Sequence, residues 1–278
     1  MTRKIAFQGE PGAFSHAAAH ALFPADEIKP CATFEDTISA VQTAAADLAV
    51  VPIENSLYGR IADIHHLLPE SGLNIIGEHF QPIRMNLLGV PGAKLADIKT
   101  VQSLSVALGQ CRKFIKKNKL HAIGAVDTAG SAHEIAERGD KSAAAIASKL
   151  AADIYGLDVI AENIEDAAHN TTRFLVMSRD KIEAAPESGP VKTTFVFRVR
   201  NVPAALYKAM GGFATNGVNM TKLESYMTDG SFTATQFYAD IEGHPSDRSV
   251  ELALEELGFF TDYMKILGVY PAANIVGK

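Results

Sequence analysis

The sequence has few cysteines and no long apolar run. Its two cysteines, Cys31 and Cys111, lie far apart without metal-ligand spacing, which excludes a disulfide framework and favours a reducing compartment. No apolar run approaches the roughly 18 to 20 residues that a membrane-spanning helix needs. The opening residues 1–7 contain too short an apolar stretch for a signal peptide. We therefore expect a cytoplasmic protein with no membrane partner.

Positive charge is scarce relative to negative charge. The chain has 26 Lys and Arg against 32 Asp and Glu, and its dense basic run, Arg112 to Lys119, is typical of the solvated face of a helix. We therefore expect no nucleic-acid partner. The chain has 278 residues, of which 47% are hydrophobic, and this allows one large or two medium domains with a buried core.

Strands and helices are predicted to alternate over the first 180 residues, which indicates an α/β architecture. The predicted strands are Lys4 to Gln8, Leu48 to Ile53, Leu73 to Phe80, Arg84 to Val90, Lys99 to Gln102, Ala122 to Val126, Ala143 to Ala147, Val159 to Ile164 and Thr172 to Ser178. The predicted helices are Ala13 to Leu22, Thr37 to Ala46, Ile61 to Leu68, Ser105 to Asn118, Ala129 to Glu137 and Ser148 to Tyr155. We expect one lobe from about 1–76 plus 160–180 and a second from about 77–159, with a substrate cleft between them.

The remainder of the chain is predicted to form a smaller domain. Residues 181–192 are a linker by composition, and residues 193–271 have the order βαββαβ, which indicates a ferredoxin-like fold. Its predicted strands are Thr193 to Arg200, Val218 to Met227, Phe232 to Ile241 and Tyr263 to Val269, with a turn at Thr228-Asp229-Gly230. Its predicted helices are Ala204 to Thr215 and Asp247 to Leu257.

Polar side chains gather where predicted strands begin or end. Asn170 to Arg173 offers an amide, two hydroxyls and a guanidinium, a set suited to holding a carboxylate while donating to a second oxygen. Glu54, Asn55 and Ser56 follow a strand that reads as buried, where polar groups are costly unless used or paired. The alternative is that both groups are ordinary turn and cap formers.

The turn Gly9 to Gly12 joins a strand to a helix, an arrangement that binds anions through the first amides of the helix. Ser15 adds a hydroxyl there, and the spacing disfavours a nucleotide site. A tight turn without a ligand remains the alternative. Thr128 and Ser148 also begin helices after strands, so we expect both to face the cleft. His16 with His20 is read as a surface pair rather than a zinc site.

Several segments in a fixed order carry a resemblance to a known family. They are Gln8 to Ser15, Val51 to Ser56 with Gly59, Ala144 to Ser148, and Asn170 with Thr172-Arg173-Phe174. The chain resembles the prephenate dehydratases, lyases that convert prephenate to phenylpyruvate with loss of water and carbon dioxide. Its tail is similar to an ACT domain, a βαββαβ module that binds amino acids, through Ala205-Leu206 and Asn219 to Ser225. The resemblance covers nearly the whole chain.

The resemblance implies a two-lobed catalytic domain, similar to periplasmic binding proteins, over residues 1–180, and an ACT domain over residues 193–271. With the strand-end residues above, we expect the catalytic residues to be Thr172, Glu54, Asn55 and Ser56. We expect the substrate-binding residues to be Ser15, Gly12, Asn170, Arg173, Phe174, Thr128 and Ser148. We expect the effector-binding residues to be Ala204, Ala205, Leu206, Asn219, Glu224 and Ser225.

In the expected chemistry, Thr172 donates a hydrogen bond to the departing hydroxyl, and Arg173 holds substrate carboxylate together with Ser15 and the helix amides. No metal or redox cofactor is expected. The resemblance also implies a homodimer or homotetramer that L-phenylalanine inhibits. Two alternatives stay open, namely arogenate dehydratase, whose substrate carries an amine instead of the keto group, and a non-catalytic sensor of an acidic metabolite.

The sequence departs from the family pattern in three segments. They are Ser103-Leu104-Ser105-Val106 for Ser-His-Pro-Gln, Pro203-Ala204-Ala205-Leu206 for Pro-Gly-Ala-Leu, and Glu224-Ser225-Tyr226-Met227 for Glu-Ser-Arg-Pro. Gln110-Cys111, after the first of these segments, keeps the Gln-Cys pair of the family pattern. The last two departures concern control by phenylalanine rather than catalysis. Ala204 in place of glycine is expected to fit only if its backbone keeps a negative φ.

Overall fold

A computed structural model describes residues 2–227 and 234–274. These residues divide into two compact units, the first comprising residues 2–64 and 79–174 and the second comprising residues 65–78 and 175–274. Across the described ranges, no helix combines the length and the apolar character that crossing a membrane requires.

The first unit contains a mainly parallel sheet whose strands lie in the order β11-β3-β1-β2. Its strands are β1 (Lys4–Gln8), β2 (Glu27–Cys31), β3 (Leu48–Asn55), the short β4 (Gly59–Arg60) and β11 (Thr171–Ser178), the last of which runs on into the second unit. Strand β1 pairs in parallel with both β2 and β3, and β4 folds back antiparallel on the end of β3. Its helices are α1 (Phe14–Leu22), α2 (Phe34–Gln42) and α3 (Ala62–Leu67), of which α3 ends in the second unit.

A five-stranded sheet in the order β10-β6-β9-β7-β8 forms the second lobe of the first unit. Its strands are β6 (Asn86–Gly89), β7 (Thr100–Leu104), β8 (His121–Ala125), β9 (Ala143–Ala147) and β10 (Asp158–Ala161). Its helices are α4 (Ser105–Gln110), α5 (Arg112–Lys117), α6 (Thr128–Arg138) and α7 (Lys149–Tyr155). Every residue of the central strand β9 is buried, because small alanine side chains let helices pack closely on both faces.

The second unit has the sheet order β13-β14-β12-β15-β5. Its strands are β5 (Asn74–Pro82), which extends into the first unit, β12 (Val191–Val199), β13 (Met220–Met227), β14 (Ala234–Glu242) and β15 (Thr261–Pro271). A short 3-10 helix (Leu68–Glu70) and the helices α8 (Ala205–Thr215) and α9 (Arg248–Phe260) complete it. A core of Phe195, Phe197, Phe213 and Phe237 lies between the helices and the sheet. The predicted two-lobed α/β unit and the βαββαβ order of the tail are confirmed.

Two elements of the structure differ from the predictions. The helix predicted from Ser105 to Asn118 is two helices, α4 and α5, because the backbone leaves helical geometry at Cys111 (φ −115°, ψ 21°). Strand β2 was missed because Pro30 lies within it, and proline in a strand is tolerated mainly at a sheet edge, where β2 lies. The predicted turn at Thr228-Asp229-Gly230 lies outside the described residues.

Candidate functional site

A cavity of about 650 Å³ lies in the first unit, between its two lobes. We call it the first-unit cavity. Its lining residues are Gln8, Gly9, Ala13, Phe14, Ser15, Pro52, Asn55, Tyr58, Ile61, Asp63, Ile83, Met85, Leu104, Val106, Ala107, Gln110, Asp127, Thr128, Thr172 and Phe174. Five of the predicted site residues are therefore in its lining. They are Ser15, Asn55, Thr128, Thr172 and Phe174.

Asn55, at the end of β3, organises the cavity wall next to β11. Its Nδ2 atom donates to Asn170 Oδ1 (2.8 Å) and to Thr172 Oγ1 (3.0 Å). Its Oδ1 atom accepts from the backbone amides of Leu57 and Tyr58, which fixes the orientation of the side-chain amide. Since the Thr172 oxygen accepts this bond, its own proton remains available to a ligand in the first-unit cavity.

Ser56 connects the end of β3 to the start of β11. It is not among the described lining residues of the first-unit cavity. Its Oγ atom donates to the carbonyl oxygen of His169 (2.9 Å) and accepts from the amide of Thr171 (3.0 Å). The Ser56 amide in turn donates to the Thr171 carbonyl oxygen (2.9 Å). Through these contacts, Ser56 holds Asn55 opposite Thr172.

Arg173 and Glu54 form an ion pair with the Nη1 and Oε1 atoms 2.9 Å apart. The Arg173 side chain is 4% exposed and that of Glu54 is 30% exposed. Neither residue is in the described lining of the first-unit cavity, because side chains alternate along β11 and Arg173 points away from the face that carries Thr172 and Phe174. The guanidinium is therefore engaged by protein carboxylate.

The start of α1 meets the first-unit cavity through Ala13, Phe14 and Ser15. Ala13 occupies the N-cap position without a capping side chain, so the first amides of the helix lack the side-chain partner that a Ser or Asp cap would give them. Gly12 precedes them with φ +92°, and a Cβ atom there would lie 2.8 Å from the Cα atom of Ala151. Glycine is thus required for the close approach of α7.

Gly12 and Ser148 contact each other rather than lining the cavity. Ser148 Oγ donates to the Gly12 carbonyl oxygen (2.5 Å) and accepts from the Ala151 amide (3.0 Å), which caps α7. The Gly12 amide donates to His16 Nδ1 (3.0 Å), and burial, aided by the nearby charge of His20, lowers the pKa of His16. A neutral His16 is the form that accepts this bond, so His16 supports the turn.

Gln110 was not among the predicted site residues. It lines the first-unit cavity, is 8% exposed, and its buried Oε1 atom has no hydrogen-bond partner among the described residues. A buried acceptor without a partner is costly unless a ligand supplies one. The sequence offered one signal, since Gln110-Cys111 matches the family pattern. Burial raises the pKa of the Cys111 thiol to about 12, which keeps that neighbour neutral.

The charge of the first-unit cavity is negative. Its described lining includes the carboxylates of Asp63 and Asp127 and contains no Lys, Arg or His. Asp127 is already engaged, because its Oδ1 atom accepts from the Gly130 amide (2.6 Å) and caps α6 next to Thr128. Nowhere in residues 2–227 and 234–274 do three His, Cys, Asp or Glu side chains cluster as a metal site.

A second pocket, of about 590 Å³, lies in the second unit. We call it the second-unit pocket, and its lining residues are Val199, Arg200, Asn201, Val202, Ala204, Ala205, Leu206, Tyr207, Leu223, Glu224, Ser225 and Phe237. All but one of the predicted effector residues are in this lining. The exception is Asn219, whose Nδ2 atom donates to Glu242 Oε2 (2.9 Å).

The condition under which alanine was expected to fit at position 204, a negative φ, is not met. Ala204 is the N-cap residue of α8 with φ +61° and ψ 21°, in the left-handed region that favours glycine. The turn before α8 therefore has a backbone shape that glycine adopts freely, and alanine adopts it at a cost in strain.

Comparison with known proteins gives the family. The sequence model described as "Prephenate dehydratase" matches residues 5–182. The chain belongs to the prephenate dehydratase family. Members of this family are dehydratases of the lyase class. The match spans both lobes of the first unit and includes Thr172 and Asn55.

Curated relatives within this family carry several activities in their names. A bifunctional N-acyl-homoserine lactone acylase/prephenate dehydratase of Komagataeibacter europaeus is 51% identical over 98% of this chain and 96% of its own length. An arogenate dehydratase/prephenate dehydratase of Arabidopsis thaliana is 40% identical over 96% of this chain and 72% of its own length.

Solved structures match nearly the full length of this chain. A structure described as a novel type of quorum quenching acylase has a TM-score of 0.92 and 51% identity, covering 98% of both chains. A prephenate dehydratase from Arthrobacter aurescens in complex with L-Phe has a TM-score of 0.88 and 32% identity, covering 98% of this chain and 91% of its own.

Proposed function

We propose that this chain acts as a prephenate dehydratase of L-phenylalanine biosynthesis, converting prephenate to phenylpyruvate in the first-unit cavity. The observation that carries the proposal is the bond from Asn55 Nδ2 to Thr172 Oγ1 at the cavity wall. A hydroxyl that accepts from a fixed amide donates its own proton in a defined direction. It can therefore stabilise the oxygen that leaves the substrate ring.

Departure of the ring hydroxyl and loss of carbon dioxide proceed together as the ring becomes aromatic. The electron pair of the breaking carbon–carbon bond enters the ring and expels the hydroxyl, which leaves as water after gaining a proton. Thr172 lowers the barrier by donating a hydrogen bond to that oxygen. We propose that solvent water supplies the proton through Thr172, because the Glu54 carboxylate is paired with Arg173.

Substrate carboxylate is proposed to bind at the start of α1. The uncapped first-turn amides and Ser15 line the first-unit cavity there, and amides at a helix N-terminus favour an anion. Gln110 Oε1 is proposed to accept a hydrogen bond from a substrate hydroxyl or amine. Glu54, Ser56, Asn170 and Arg173 are then positioning residues that hold Asn55 and Thr172 in register.

The test measures product formation by the purified chain. Phenylpyruvate formed from prephenate is measured by its absorbance, and phenylalanine formed from arogenate is measured by amino-acid analysis. Turnover of prephenate supports the proposal. Binding of prephenate without consumption would instead indicate the sensor. A preference for arogenate is the main alternative, and the free carboxylate of Asp63 in a cavity lining without basic side chains favours it.

A second candidate activity is hydrolysis of N-acyl-homoserine lactones to homoserine lactone and a fatty acid. The observation in its favour is apolar surface at the first-unit cavity, where Leu104 and Val106 replace polar residues of the family pattern and stay 37% and 44% exposed. An acyl chain would bury that surface. The test of this activity compares the unsubstituted protein with a Leu104→Gln variant, measuring the homoserine lactone that each releases by mass spectrometry. Equal release by both proteins would argue against this acyl site.

Regulation is proposed to reside in residues 193–271, with catalysis in residues 1–180. We propose that L-phenylalanine binds the second-unit pocket and that the chain is a cytoplasmic homodimer or homotetramer. The supporting observations are the pocket at Ala204–Leu206 and Glu224–Ser225, the L-Phe complex of a family member, and the free thiols Cys31 and Cys111. Equilibrium binding of phenylalanine and sedimentation of the full chain test these statements.

A further inference from the structure

We propose that the hydrogen bond between His65 and Tyr226 couples the second-unit pocket to the first-unit cavity, with helix α3 as the moving element. The proposal rests on the proposed regulation by phenylalanine. It assigns a role to Tyr226, which stands where the family pattern has arginine, and to His65, which no step of the proposed chemistry uses.

The first observation is the contact itself, which lies within the second unit. His65 Nδ1 and Tyr226 Oη are 3.0 Å apart, and the two residues are 1% and 4% exposed. The His65 ring also packs edge-on against Tyr238, with centroids 5.0 Å apart, and Tyr226 packs against the ring of His66 as well. A buried polar contact of this kind has few alternative arrangements, so its partners move together.

The second observation is continuity with the second-unit pocket. Tyr226 follows Glu224 and Ser225 directly along β13, and both of those residues line the pocket. A ligand that draws Glu224 or Ser225 toward it therefore acts on the strand segment that carries Tyr226. Strand β13 has a register irregularity between Tyr226 and Met227, a place where a strand can adjust its pairing locally.

The third observation is continuity with the first-unit cavity. Helix α3 contains His65 and His66 in its second half, while Asp63 in its first turn and Ile61 just before it line the cavity. A helix of six residues without glycine or proline moves as one body, so a shift at His65 is passed to Asp63. The Ile61 amide, bonded to the Ile53 carbonyl oxygen (3.0 Å), links that shift to β3.

The 3-10 helix that follows α3 has an anchor of its own. Lys265 Nζ donates to the carbonyl oxygen of Pro69 (2.8 Å), which fixes the 3-10 helix after α3 to β15. Tyr226 thus contacts α3 itself, while Lys265 holds the 3-10 helix that follows α3. An arrangement of this kind allows α3 to pivot about its end when β13 changes position.

The test uses the full chain with a Tyr226→Phe substitution, which removes the hydroxyl and keeps the ring. We expect phenylalanine to bind with a dissociation constant within about threefold of the unsubstituted protein, while its inhibition of prephenate turnover weakens by roughly tenfold, a change typical of residues within a coupling network. The matched control is Tyr263→Phe, a half-buried tyrosine on β15 of the same sheet, which should leave inhibition unchanged.

Because Tyr226→Phe removes a hydrogen-bond partner of the buried His65 ring, the double variant His65→Phe with Tyr226→Phe tests the same coupling with an apolar pair. Full inhibition in either folded variant would overturn the proposal. Failure of the unsubstituted protein to bind phenylalanine would overturn the regulatory part of the proposed function as well. Binding without any inhibition of the unsubstituted protein would overturn the coupling alone.

Discussion

Two hydrogen-bonded residues, Asn55 and Thr172, carry the chemistry that we propose for the first-unit cavity. The sequence placed both at the end or beginning of a strand, and this much could be predicted because polar groups next to buried strands need partners. The sequence could not give the face of β11 that opens to the cavity. Alternation groups Thr172 with Phe174 and separates them from Arg173, but the open side depends on how the second lobe packs.

Gln110 also shows that the sequence does not reveal which side chains face the first-unit cavity. A glutamine at the last position of a short helix, as Gln110 is in α4, is ordinary in a sequence. Its buried, unpaired Oε1 atom emerges only from the packing of α4 against the first-unit cavity. The unpaired oxygen depends on tertiary contacts, so the sequence could show only that Gln110-Cys111 matches the family pattern.

Ala204 is predicted to be strained, so Ala204→Gly should stabilise the protein. A left-handed alanine costs roughly 1 to 2 kcal/mol, and part of the relief is offset by the greater freedom of glycine in the unfolded chain. We expect a net gain of about 0.5 to 1 kcal/mol by urea unfolding. Ala205→Gly, one position into α8, should instead lose about 1 kcal/mol. A loss of stability in both variants would contradict the strain.

His16 is predicted to contribute to the pH dependence of stability. Its lowered pKa means that the folded protein takes up the proton less readily than the unfolded chain. Its contribution to stability is therefore complete above a pH of about 6.5 and is lost as the pH falls through the folded-state pKa. His16→Asn, which keeps an acceptor near the Nδ1 position, should lose less stability between pH 7.5 and 5.5. Identical pH profiles of the two proteins would exclude this role.

At the scale of elements, the pairing of β3 with β11 determines the shape of the cavity wall. Arg173 lies at this junction, and its nearly buried ion pair with Glu54 holds the strands on the side away from Thr172. The structure therefore suggests support as the main role of Arg173, whereas the sequence suggested direct contact with substrate carboxylate.

The prediction is that Arg173→Met lowers the free energy of unfolding by about 2 kcal/mol, because the nearly buried guanidinium is lost and the partly exposed Glu54 carboxylate loses this ion pair. Arg138→Met, which removes an exposed pair with Glu134, should cost less than about 1 kcal/mol. Arg173→Lys separates the two roles through kinetics. If Arg173 only supports the strands, Arg173→Lys should lower stability with little change in KM. A large rise in KM at full stability would instead indicate that Arg173 binds substrate.

Most elements could be predicted from hydrophobic patterns and turn residues, and β1 and β9 have the predicted bounds. Two elements are exceptions. The break at Cys111 is marked only by Gly109, which on its own is tolerated within a helix, and β2 mixes Lys29 and Pro30 into an edge strand with weak alternation. Both depend on tertiary packing that overrides local propensity.

At the scale of the whole molecule, two compact units carry two kinds of site. The first-unit cavity has Thr172, the proposed donor to the leaving oxygen, in its lining, and the second-unit pocket has most of the residues predicted for an amino-acid effector. The division of the chain is more interleaved than the sequence suggested, since residues 65–78 belong to the second unit. Helix α3 and strands β5 and β11 each continue from one unit into the other.

The most direct test of the central claim is the rate of phenylpyruvate formation from prephenate by the unsubstituted protein, Thr172→Ser and Thr172→Ala. If the Thr172 hydroxyl assists departure of the ring oxygen, Thr172→Ala should lose roughly 10²- to 10⁴-fold in kcat, and Thr172→Ser should retain much of the activity. Circular dichroism and the melting temperature verify that both variants are folded. Undiminished turnover by a folded Thr172→Ala protein would contradict the account.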